Sequence, residues 1–136
     1  MNREIKYRGL TSNGNWVCGN LIQGKKGYCY ICSINENPVY KNLDYWYIDS
    51  PCYVVIPETV GQFTGLKDQN GEEVYEGDVL ELNNCGLLIV CFYKGEFKLQ
   101  KLAEYHKKRN LYASISYLEF SVLRGNIYEN PELLKI

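Results

Sequence analysis

The sequence has little of what builds long helices, membrane spans or acid–base sites. Alanine occurs only at Ala103 and Ala113, and a chain so poor in the best helix former is not expected to hold long helices. There is one histidine, His106; a Cys–His nucleophilic pair would have to place it beside a thiol. The longest apolar run, Leu87 to Tyr93, covers seven residues, against the ~20 that a membrane helix needs. The opening "MNREIKYRGL" lacks the apolar core of a secretory signal. These features give the expectation of a cytoplasmic chain with no membrane partner. Nor is there an excess of one charge. Fifteen Lys and Arg against sixteen Asp and Glu leave a net charge of −1, which argues against a strongly basic nucleic-acid binder.

What is present points to strands. The 136 residues fit one domain, or two small subdomains sharing a core. Thirteen are tyrosine, a residue that favours pleated, half-buried surfaces and interfaces because it joins a ring to a polar tip. Gly, Asn, Asp and Pro punctuate the chain roughly every 8–12 residues, the rhythm of an all-β sandwich or barrel. Strands are expected at Ile5–Tyr7, in "NWVCGNLIQ" with a bulge near Gly19, and in "GYCYICSI", "DYWYID" and "CYVVIP". "GLLIVCFYKGEFKL" reads as two strands about a turn at Lys94-Gly95. Strand returns are expected around Tyr112–Ile115 and Phe120–Leu123. One helix is expected over 99–110, with Leu99, Leu102, Ala103 and His106 on its apolar face. In "NPELL", Asn130 is placed to cap a short final turn.

The stretch "FTGLKDQNGEEVYEGDV" (63–79) raises three readings. A phosphate loop is opposed by Asp68, Glu72, Glu73, Glu76 and Asp78 and by the lack of Lys-Ser/Thr before a helix. A calcium loop fails because Gly71 comes too early after Asp68 and Asn70. Turn chemistry accounts for every residue. Asn70-Gly71 supplies a type I′ hairpin turn, Gly77-Asp78 a second turn, and the acids face solvent.

At these residues the sequence resembles a known family. "GQFTGLKDQNGEEVYEGDVL" and "RGNIYENPELL" are similar to the two signature segments of the YopX family of phage and prophage proteins. "KYRGLTSNGNWVCGNLI" and "VCFYKGEF" resemble its other landmarks, in the same order. Arg124 stands where an apolar residue is common in the family. The resemblance implies a mainly β fold of small barrel or pseudo-barrel subdomains, a homo-oligomer and an origin in mobile genetic elements. It brings no activity and no catalytic residues. The expected organisation is a single YopX-like domain over 1–136. Its subdomains are 1–58 and 59–136, the second an SH3-like small barrel.

Candidate chemistry is sparse. Cys29 and Cys32 form a lone CxxC that a strand would send to opposite faces, a poor zinc or redox arrangement. The other cysteines, such as Cys52 and Cys91, lie in apolar runs and read as buried free thiols. Tyr28, Tyr30, Tyr45, Trp46 and Tyr47 form the candidate interaction surface. Lys98, Lys101, Lys107, Lys108 and Arg109 form a candidate basic patch. Residues 1–30 carry about +4, 58–82 about −6 and 98–109 about +4, an alternation that suits self-association. The favoured expectation is therefore a protein with no catalytic residues, bound metal or cofactor that pairs with its own copies or with a protein partner. A nucleic-acid-binding small barrel is the alternative, not favoured. A metal-dependent hydrolase built on Asp68, Glu76 and Asp78 comes third.

Overall fold

The computed structural model describes residues 4–33, 52–83 and 85–134. The chain divides into two compact units, one of Ile5–Gln62 and one holding the chain from Phe63 onward. The protein is mainly β: each unit is built on an antiparallel sheet, and no pairing among the described residues closes either sheet on itself. No helix among the described residues is long and apolar enough to cross a membrane.

The N-terminal unit is a meander in the order β4-β3-β2-β1. Its strands are β1 (Tyr7–Leu10), β2 (Trp16–Gln23), β3 (Cys29–Ser33) and β4 (Cys52–Val55). Alternation sends Cys29 and Ile31 inward against Val55, with Tyr7, Val17, Leu21 and Val60 packed around them. The sheet curls strongly. Just past β4, Ile56 N–H donates to Leu10 C=O at 2.8 Å. Thr59, buried in the turn begun by Pro57, accepts from Leu10 N–H at 2.9 Å and donates to Ile56 C=O at 2.6 Å. The bulge expected near Gly19 is absent: β2 keeps a regular register, pairing through Gly19 with β1 on one side and β3 on the other. What requires glycine is proximity. Gly19 has φ 156°, and a Cβ there would stand 2.1 Å from the Cys32 carbonyl oxygen.

Strand β5 (Gly61–Lys67) begins opposite β1, with Gln62 facing Tyr7, and runs on into the C-terminal unit. There it forms a hairpin with β6 (Glu73–Tyr75). The five-stranded sheet that follows has the order β10-β9-β8-β7-β11. Its members are β7 (Asp78–Leu82), β8 (Gly86–Tyr93), β9 (Glu96–Lys101), β10 (Ala113–Ser114) and β11 (Val122–Asn126). The β8–β9 turn is Lys94-Gly95 with φ 49° and 82°, both positive as a two-residue type I′ turn requires. The core gathers Val74, Leu80, Leu88, Val90, Leu99 and Leu118.

Several local expectations need correction. The short helix expected within 99–110 is present as α1, but it spans only Leu102–His106. Leu99 belongs to β9 instead, where both neighbouring strands satisfy its backbone and its side chain is fully buried. His106 is exposed rather than packed, because the helix ends before a second turn can shelter it. The strand return expected at Phe120–Leu123 begins at Val122 as β11, because Phe120 ends a 3₁₀ helix (Ile115–Phe120) that drives Leu118 into the core. The thiols are not all free. Cys32 and Cys52 face each other across β3 and β4 and are joined by a disulfide. Cys52 is exposed, not buried. The expected strand "DYWYID" lies outside the described residues.

Candidate interaction surface

Directly opposed residues of antiparallel strands point to the same face. In the N-terminal unit this rule builds two rows on the side away from its core. One is Ile22, Tyr30 and Val54; the other is Asn20, Cys32 and Cys52, the latter two bonded. Ile22 is 52% and Val54 56% exposed, and Tyr30 is half-buried between them. Tyr28, just before β3, is 55% exposed beside the cationic turn Lys25-Lys26. On the same face the Arg8 guanidinium lies 4.6 Å from the Trp16 ring centroid, a cation–π contact. Tyr28 and Tyr30 are thus brought onto one face, with Ile22 and Val54 as apolar neighbours. Those two were missed in the sequence. Strict alternation along β2 and β4 would have shown them, but only once the register across three strands was known. Tyr45, Trp46 and Tyr47 lie outside the described residues.

The five cations of the expected patch do not present together. Lys98 and Lys101 are three apart in β9 and so project from opposite faces. Lys98 pairs with Glu96 at 2.9 Å, and Arg109 with Glu104 at 3.7 Å. Lys107 and Lys108 are exposed on the turn after α1, where Lys108 takes φ 54°.

The acidic stretch is put to a different use from the one expected. Gly71 has φ 83° while Asn70 does not have positive φ. Gly71 N–H donates to Asp68 C=O at 3.0 Å and Asp68 N–H to Glu72 C=O at 2.9 Å. This is a three-residue loop, a type I turn closed by a glycine, not a two-residue type I′ turn. Asp68 is only 5% exposed. Its Oδ1 accepts from Asn70 and Glu72 N–H at 2.9 Å each, and its Oδ2 from Leu123 N–H at 2.8 Å. Burial by itself pushes this carboxyl up, but those three N–H groups outweigh it and hold the carboxyl below its ordinary value. Asp78 is 1% exposed, and its Oδ2 accepts from Tyr75 N–H at 2.8 Å across the Glu76-Gly77 turn, where Gly77 has φ 92°. Both acids hold turns together. Among the described residues no three His, Cys, Asp or Glu side chains gather as metal ligands.

Burial also pushes the Cys91 thiol up to about 11, with Glu76 adding to the effect. Arg124 is the extra residue where the β11–β7 register shifts between Leu123 and Gly125. The bulge turns its side chain outward onto Glu81 at 2.7 Å, so a position that is commonly apolar here carries an exposed ion pair.

These features define a mainly β protein of two open antiparallel sheets, with turns held by buried carboxylates and one apolar, aromatic sheet face left in solvent. The YopX protein family model matches residues 6–135, nearly the whole chain, and the protein belongs to that family. Among solved structures it is similar to protein EF1440 from Enterococcus faecalis, with 20% identity and a TM-score of 0.51. That likeness covers 98% of this chain and 100% of the other, and shows the fold alone. No curated protein matches the sequence.

Proposed function

We propose that this YopX protein is a non-catalytic, phage- or prophage-derived cytoplasmic protein that acts by self-association through the outer face of its N-terminal sheet. The observation that carries the reading is the row Ile22–Tyr30–Val54, three side chains that paired strands hold in or near water, with the exposed Tyr28 beside it. Completing the burial of a half-exposed apolar side chain is worth roughly 1 kcal/mol. Four of them offset only part of the association cost of about 4–15 kcal/mol. Pairing is therefore weak and concentration-dependent. Charge supports a second copy as the occupant: the face is flanked by Lys25 and Lys26, and the same chain exposes the acids Glu58 and Glu72 of segment 58–82. Light scattering over a concentration series tests this. The expected result is a weight-average mass that rises with protein and falls back as salt is added. A monomer mass at every concentration would remove the proposal.

A further inference from the structure

We propose that the C-terminal unit binds a small neutral aromatic alcohol, a phenol, in a pocket beside β8 and β9. The cavity has a volume of about 490 Å³, within the ~300–1,000 Å³ usual for small-molecule sites. Leu88 and Leu99 line it with side chains that are otherwise buried in the core. Leu111 and Tyr117 line it too, yet they are 60% and 51% exposed. Tyr112 adds a second ring, held in place by stacking on Tyr93 with centroids 4.4 Å apart. Rings and leucines together suit a flat apolar body, because aromatic pairs gain beyond the area they bury.

A buried acceptor chooses the head of that ligand. Glu104 lines the same cavity with a side chain only 20% exposed. Its Oε2 is buried and has no hydrogen-bond partner among the described residues. The Arg109 guanidinium stands 3.7 Å away, near enough to offset charge but too far to donate a hydrogen bond. A buried acceptor left unmade is costly, the more so on a charged group. The last torsion of a glutamate is broad, so either oxygen can turn to a donor in the cavity. A phenol supplies an O–H···O⁻ bond of the short, charge-assisted kind. The neighbouring cations set the ligand's charge. Lys101 lines the cavity and Arg109 faces Glu104, so one carboxylate already has two positive groups near it. An amine would meet both of them, whereas a neutral hydroxyl meets only the acceptor. Cys85 also lines the cavity and is exposed, which gives a reporter inside the site. The pocket belongs to a different unit from the face proposed to self-associate, so either proposal can fail alone.

Calorimetric titration with para-cresol, para-methylanisole and para-methylbenzylamine, at about pH 7 where the phenol is neutral, tests the inference. Para-cresol is expected to bind saturably and about tenfold more tightly than the anisole, which has the ring but no donor, and more tightly than the amine. Glu104→Leu should bring para-cresol down to the level of the anisole without weakening the anisole itself. Glu104→Gln keeps an acceptor oxygen and should retain part of the preference. Leu111→Ser should weaken both ligands. Circular dichroism confirms that each variant folds. Para-cresol should also slow alkylation of Cys85 by iodoacetamide, followed by peptide mass spectrometry. The inference is overturned by non-saturable binding, by para-cresol binding no better than the anisole or the amine, by a Glu104→Leu variant that keeps the full preference, or by an unprotected Cys85.

Discussion

Asp68 shows how much one side chain can fix. It closes its own turn through Asn70 and Glu72 and ties that turn to β11 through Leu123, fifty-five residues on. Asp68→Asn puts an amide N–H₂ where one of those oxygens must accept. The expected loss is about 2 kcal/mol in chemical denaturation, since hydrogen bonds to a charged group are worth about 1.5–3 kcal/mol. The linkage has a definite sign. The folded carboxyl lies below its ordinary value of 3.8, so its contribution is present above that value and is lost as pH falls through the lower folded one. Stability of the wild type should fall with acid in that window, and the Asn variant should show a flatter acid limb. Gly19 is fixed by space instead. Gly19→Ala places a methyl 2.1 Å from the Cys32 carbonyl oxygen and should cost more than about 3 kcal/mol, read as early melting and fast amide exchange across β1–β3. The Asp-x-x-Gly spacing of 68–71 is visible in the sequence as a turn signal. That the same carboxylate reaches Leu123 is not, because nothing local records a partner so far along the chain.

At the scale of elements, what could be read in the sequence was what adjacent residues dictate. The hairpin turn Lys94-Gly95 and the inward Cys29 and Ile31 of β3 follow from turn chemistry and alternation. A short helix within 99–110 followed as well, but its start at Leu99 did not. Its apolar spacing from Leu99 coincides with a strand whose backbone finds partners on both sides, and pairing outweighs a weak helical pattern. The disulfide belongs to this scale too. Cys32 and Cys52 stand twenty residues apart, and only the β3–β4 register sets them opposite each other. Closing a loop of that size contributes about 3 kcal/mol by chain entropy. A cytoplasmic setting would keep the pair reduced. Dithiothreitol should therefore lower the unfolding free energy of the N-terminal unit by about that amount, while its strand signal in circular dichroism persists on the remaining β3–β4 pairs. Alkylation before reduction should label Cys18 and Cys85, which are exposed, and spare Cys29 and Cys91. Burial protects Cys29, and the half-buried Cys91 thiol is pushed up to about 11, which leaves little of it as the reactive thiolate.

For the whole molecule the decisive measurement is association. If the outer face of the N-terminal sheet pairs copies, Val54→Asp should abolish the concentration-dependent rise in mass. Phe120→Asp, a change at a still more exposed apolar position in the other unit, should leave it intact. A drop caused equally by both variants would point to general stickiness and not to this face. By itself the sequence determined the mainly β character, the family and the positions of several turns, because propensity, two-residue periodicity and glycine conformation act over a few neighbouring residues. Only the tertiary structure decided which acids are buried, which cysteines join, which cations part company and which tyrosines share a face. Each of those depends on strand register, which is set by packing between segments far apart in the chain.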